Sequence, residues 1–262
     1  MHIRARTGIW GAIVVGLASV TASSLLTIAP STSPAPLPSA DALPIPPIGP
    51  FPTNPGPTAA PGLDTSFYSI DDPTSLWIVV NKARPLNPID YVPPDLAVLS
   101  PIPGGGSQRL RAEAADALKV LYSAAKAAGV PFSIGTAYRS YGDQRVIYHG
   151  WVRKNGRWYA DKSSARAGYS EHQTGWAVDI YDTEKCRLEY CFGRSALGLW
   201  VADHAWEYGF VIRYPKGMEA ITGFVWEPWH LRYVGVDLST EMHTTGVSTL
   251  EEVFGLPAAP TY

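Results

Sequence analysis

The sequence predicts an α+β fold: a single domain whose central antiparallel sheet carries the functional site, with helices packed on one side. Three observations predict it. An amphipathic helical segment stands early in residues 65–262, short strand-like runs separated by turns stand late, and no internal repeat or second linker divides this stretch. Helices gathered before a run of strands favour an antiparallel sheet over an alternating parallel one.

The elements follow in chain order. Arg4 and Arg6 precede an apolar run from Ile9 to Ile28, the charged start and hydrophobic middle of an export signal. Because the run is about long enough to span a bilayer, residues 1–29 read as either a cleaved signal peptide or a retained membrane anchor. Residues 30–64 are mostly Pro, Ala, Ser, Thr and Gly and hold half of the chain's 24 prolines. Such a stretch favours solvated, extended backbone and reads as a linker. The folded domain is then residues 65–262.

Within it, Leu76–Val80 suits a buried strand, followed by a Pro-rich stretch that wraps the surface. Ser107 can cap a helix over 108–128, where Leu110, Ala114, Ala117, Leu118 and Leu121 recur at helical spacing and Gly129 supplies the stop. A strand over 132–137, a helix over 143–151, a polar loop over 155–169 and a strand over 177–181 follow. In that last strand Val178 and Ile180 alternate with Ala177, Asp179 and Tyr181, which sets Asp179 on the face away from the apolar pair. A helix over 195–208, strands over 210–213, 223–226 and 230–234, and two closing helices over 239–244 and 248–254 complete the pattern.

Composition narrows the function. The net charge of -2 leaves no basic stripe, which argues against nucleic acid as a partner. The two cysteines, Cys186 and Cys191, are close in sequence, and in an exported chain that spacing favours a local disulfide.

Two short segments carry chemistry: His172-Gln-Thr-Gly-Trp-Ala-Val-Asp179 and Glu227-Pro-Trp-His230. Together they offer two imidazoles and a carboxylate for one divalent metal, and a second carboxylate beside the last ligand. A catalytic zinc site needs three protein ligands, an open coordination position and a nearby base. Pro228 argues against the helix that carries the His-Glu-x-x-His zinc motif. On this reading His172, Asp179 and His230 are metal ligands for one Zn2+ per chain. Glu227 is the base that takes a proton from water and returns it to a leaving amine. Arg139, after a strand and between two tyrosines, reads either as an ion-pair arginine or as an oxyanion stabiliser.

Ser170-Glu-His172 with Asp179, and Glu227-Pro-Trp-His230, resemble the zinc D-alanyl-D-alanine carboxypeptidases of the VanY type, relatives of D-Ala-D-Ala dipeptidases and hedgehog domains. The segments Val80-Asn-Lys-Ala-Arg-Pro-Leu86, Tyr138-Arg-Ser-Tyr141 with Gln144, and Glu227 to Tyr233 extend the resemblance over roughly residues 77–236. One departure is Ala167, where many members carry proline. The resemblance implies zinc at His172, Asp179 and His230, Glu227 as base, and Arg139 on the scissile carbonyl or the substrate carboxylate. It implies that Ser170 and Gln144 help bind the substrate end. It also implies peptidoglycan stem peptides as substrate, losing a terminal D-alanine at the extracellular face of the membrane or in the wall. An L,D-carboxypeptidase or endopeptidase on the same peptides, or a non-hydrolytic zinc-stabilised binding domain, are the alternatives.

Overall fold

The computed structural model describes residues 62–262, so the expected signal or anchor and nearly all of the expected linker lie outside the described residues. Among the described residues no helix is long and apolar enough to cross a membrane. Leu63 already packs against buried side chains, so the folded unit begins slightly before Thr65.

The central sheet is wholly antiparallel. It is built from β3 (Ser133–Thr136), β4 (Ala177–Tyr181), β5 (Phe210–Ile212) and β6 (His230–Tyr233) in the order β3-β4-β6-β5. Ile134, Val178, Ile180, Leu231 and Tyr233 enter the main core on one face. Side chains alternate along a strand, so Asp179, His230 and Arg232 fall on the opposite face. Two helices cover the apolar face. The first, α1 (Ala112–Ala127), contributes Ala114, Leu118, Leu121 and Ala125, and the second, α4 (Ala196–His204), contributes Leu197 and Val201. Each leucine fully buried here stabilises the fold by roughly 1.5–3 kcal/mol.

The start of α1 differs from expectation. Ser107 lies in a 3-10 turn (Gly105–Ser107), and Arg109–Arg111 form β2, paired antiparallel with β1 (Leu96–Val98). Strand pairing keeps the backbone extended through Arg111 and delays the helix to Ala112, against the local helical preference of the segment. Its end follows the sequence: Gly129, at φ 80°, lets Val130 N–H reach back to Ala125 O at 2.9 Å.

Trp77 to Val80 are buried and Leu76 partly so, as expected, but the segment is not a strand. Ile78 and Val80 enter the main core, whereas Trp77 and Val79 enter a second one with Val234, Leu238, Met242 and Leu250. In place of a neighbouring strand, the Arg232 guanidinium donates to the carbonyls of Leu76 (2.8 Å) and Ile78 (2.9 Å). A side chain thus satisfies backbone groups that a ladder would otherwise pair.

The remaining helices border the site or close the chain. Ser140 and Asp143 form a reciprocal capping box that starts α2 (Tyr141–Asn155), two residues earlier than expected. The expected loop over 155–169 contains α3 (Arg157–Ser163). Residues 223–226 are not a strand. They follow α5 (Glu219–Thr222), and Ala259 N–H donates to Ile221 O at 2.8 Å, so the C-terminal segment occupies that flank. The closing helices are α6 (Val236–Thr245) and α7 (Leu250–Val253). Cys186 and Cys191 form a disulfide, with their Cα atoms 5.4 Å apart.

Candidate metal centre and active site

Sheet register brings the two sequence segments together. Asp179 of β4 stands directly opposite His230 of β6, so the ligand face needs only one more donor from outside the sheet. That donor is His172, on a 3-10 turn (Glu171–Thr174) that leads into β4 through Gly175. Gly175 has φ 74°, and a Cβ there would lie 2.9 Å from Arg111 Cγ, so glycine is required for the turn. The ring of His172 is fixed by its Nδ1–H, which donates to Ala137 O at 2.8 Å and turns Nε2 toward Asp179 Oδ2 at 3.3 Å.

His230 approaches from the other side, with Nδ1 3.3 Å from Asp179 Oδ1. Donors 2.0–2.1 Å from a tetrahedral ion stand roughly 3.3 Å apart, so both spacings suit a shared zinc-sized ion. The ligand atoms of His172, Asp179 and His230 all lie within 4.8 Å of one another, and all three residues are buried. Among the described residues Asp179 Oδ1 has no hydrogen-bond partner, which suits an oxygen that binds a metal.

The electrostatics point the same way. Burial and the nearby Arg139 push His172 down to about 4, so its imidazole is neutral and able to ligate. Burial opposes charge on Asp179, but the two histidines hold its carboxyl well below the usual range. For His230, burial is overcome by Asp179, Glu171 and Glu227, which push it up to about 9. Two of these carboxylates, Asp179 and Glu227, face Nδ1, and a cation on that side of the ring fits their charge.

Glu227 reaches the same space from the tight turn before β6. His230 N–H donates to Glu227 O at 3.1 Å, and Glu227 Oε2 lies 3.6 Å from His230 Nδ1. Burial raises its carboxyl to about 7 against the pull of His230 and Arg139, a range suited to exchanging a proton near neutral pH. Arg139 is half-buried. Among the described residues its guanidinium makes no hydrogen bond to protein, and its Nε is buried without a partner. Such a donor group suits a ligand, and among the described residues no carboxylate lies within ion-pair distance of it, although the charges of Asp179 and Glu227 act on it.

The site opens into a cleft of about 380 Å³. Ser170 and Arg139 line it, together with Trp151 of α2 and Tyr159 of α3 on one side and Arg187 and Tyr190 of the disulfide loop on the other. Gln144 does not line it. Its side chain is fully buried because helix α2 turns this position inward; Nε2 donates to Ala165 O at 2.6 Å, while Oε1 has no partner among the described residues.

Sequence reasoning missed Tyr214, whose ring lies 4.9 Å from that of His230, and Glu171, buried behind the same histidine. A signal for Glu171 existed. Arg232 sits mid-strand between buried neighbours, and a buried guanidinium requires a buried carboxylate.

The VanY family of D-alanyl-D-alanine carboxypeptidases matches residues 107–236. The Bacillus subtilis (strain 168) protein "Putative carboxypeptidase YodJ" is 41% identical over 199 residues, covering 74% of this chain and 70% of that one. The chain belongs to the VanY carboxypeptidase family. The solved structure of the LdcB LD-carboxypeptidase superposes with a TM-score of 0.64 at 41% identity, covering 70% of this chain and 87% of that one. A structure of the vancomycin-resistance D,D-pentapeptidase VanY in complex with Zn(II) superposes at 0.58 with 30% identity, covering 69% and 99%. The chain is thus similar to carboxypeptidases of both stereochemical kinds.

Proposed function

We propose that this protein is an exported zinc carboxypeptidase that hydrolyses the terminal D-alanine from peptidoglycan stem peptides. The observation that carries the reading is the convergence of His172, Asp179 and His230, with Glu227 and an unpartnered Arg139 facing the same cleft. Zinc is supported by the donor set, by the ligand spacings, and by the Zn(II) complex of the related D,D-pentapeptidase. Held by His172, Asp179 and His230, one zinc ion per chain would supply Lewis-acid chemistry, lowering the pKa of a water toward neutrality and polarising a carbonyl.

The chain's own residues do the rest. Glu227 takes a proton from the attacking water at Oε2 and returns it to the nitrogen of the departing D-alanine. Arg139 stabilises the negative charge that develops on the carbonyl oxygen. Ser170 holds the substrate end within the cleft. The charged and apolar opening of the chain supports export, and with it an extracellular location where wall peptides are found.

The expected bond is D-alanyl-D-alanine. A second reading has specific support: the LD-carboxypeptidase shows the higher identity and TM-score of the two structures described above. Mass spectrometry of pentapeptide and tetrapeptide stems incubated with the enzyme separates them. Loss of one alanine from the pentapeptide alone supports the D,D bond, loss from the tetrapeptide supports the L,D bond, and internal fragments refute carboxypeptidase action.

A further inference from the structure

Behind the metal-ligand face, Glu171 occupies a position that the proposed chemistry does not use. Its side chain is fully buried. Its Oε1 accepts from Arg213 Nε at 2.8 Å and from Arg232 Nη1 at 2.9 Å. Among the described residues its Oε2 accepts no hydrogen bond; it lies 3.6 Å from His230 Nε2, which also has no partner there. Two complementary buried atoms 3.6 Å apart, each without a partner among the described residues, form a pair that a movement of about half an ångström brings into hydrogen-bond range.

The other side of the same ring identifies what the pair does. His230 Nδ1 faces Asp179 and Glu227, so the ring is held between a ligand side and a carboxylate side. A histidine that ligates through Nδ1 must carry its proton on Nε2, and an acceptor there fixes the tautomer and raises ligand basicity. His172 shows the mirror arrangement, with Nδ1–H on Ala137 O and Nε2 toward Asp179.

The support behind Glu171 is electrically balanced. Arg213 forms a bidentate pair with Glu251 of α7 (2.9 and 2.8 Å), and Asn81 Nδ2 donates to Glu251 at 2.9 Å. Two glutamates thus face two arginines, and Glu171 needs no charge from His230 for neutrality. It remains free to act as an acceptor.

Resting on the zinc reading, we propose that Glu171 is a positioning residue of the metal centre: its Oε2 accepts a hydrogen bond from His230 Nε2–H, which turns Nδ1 to the ion and anchors that ligand to the Arg213–Glu251 network. Outer-shell partners of this kind change metal affinity by about 10–100-fold.

The test measures zinc affinity by competition with a chromophoric chelator, and the absorption spectrum of the cobalt-substituted protein, in the full chain. Glu171→Gln should weaken zinc binding about 10–100-fold and alter the cobalt spectrum. Because that variant leaves a buried positive charge, Glu171→Gln/Arg232→Met restores neutrality and should show the same loss. Glu251→Gln disturbs the network equally in charge but not the His230 contact. It should lower Tm while leaving zinc affinity within about twofold. Unchanged affinity in a folded Glu171 variant, or equal loss in Glu251→Gln, overturns the proposal. Nitrogen NMR of the zinc-loaded wild type keeps it testable if the variants do not fold: a protonated His230 Nε2 with Nδ1 on the metal supports it, and the reverse refutes it. If the wild-type chain binds no zinc, the failure lies with the proposed function and not with Glu171.

Discussion

At the scale of residues, chemistry divides between groups that hold and groups that react. Glu227→Gln removes the proton acceptor but no ligand, so it should lower D-alanine release by about 10²–10⁴-fold while zinc content stays at the wild-type level, measured by turnover and elemental analysis. Arg139→Ala should cost about 10²–10³-fold in kcat, again with zinc retained. An intact kcat in either variant would remove that residue from the proposed chemistry. The ligand-type residues were legible in the sequence because two histidines and two carboxylates in two tight segments have few bland explanations. Glu171 was not singled out, since its role depends on Arg213 and Arg232, which stand far from it in sequence and meet it only through the sheet. Gln144 shows what spacing alone leaves open: helix α2 buries its side chain, with Nε2 on Ala165 O and Oε1 without a partner among the described residues.

At the scale of elements, β4 was legible to the residue because its alternation is strict, whereas β1 and β2 were not. Three-residue strands leave almost no period to read, and the pairing of Arg109–Arg111 with Leu96–Val98 overrides a helical preference. The disulfide loop was foreseen as a closed ring but not as a wall of the site. Arg187 of that loop donates to Gly135 O at 2.9 Å, and Tyr190 stacks on Trp226 at 5.9 Å and leans on Trp229, next to Glu227 and His230. The loop is therefore pinned to both sides of the ligand face. Opening it with Cys186→Ser/Cys191→Ser adds ordering entropy to substrate binding, about 0.5–1.5 kcal/mol per freed side chain. The expected result is a KM raised several-fold with kcat and zinc affinity nearly unchanged, read from steady-state kinetics on a stem peptide. A loss confined to kcat would contradict a role in substrate binding.

At the scale of the whole molecule, the two ends of the described chain are tied together through a buried lysine. Lys82 is almost completely buried, donates to the carbonyls of Gly223 and Pro260, and lies 4.6 Å from the centre of the Phe224 ring. Burial lowers its pKa from an ordinary 10.5 to about 8, against the pull of Asp161. Between those values the unfolded chain binds more protons than the folded one, so this group makes stability rise with pH across the window from about 8 to 10.5. Thermal unfolding of the wild type and Lys82→Met should diverge over that window, the wild type gaining relative to the variant as pH rises. Parallel curves would show that Lys82 titrates normally.

The central claim joins fold and chemistry: one ion on the face of the antiparallel sheet makes the domain a carboxypeptidase. It is tested most directly by stripping the enzyme of metal and titrating zinc back while following D-alanine release from a stem peptide. The account predicts negligible release from the stripped wild type, recovery that saturates at one zinc per chain, and no recovery in His172→Ala. Full release without metal, or recovery that is indifferent to the loss of His172, would contradict it.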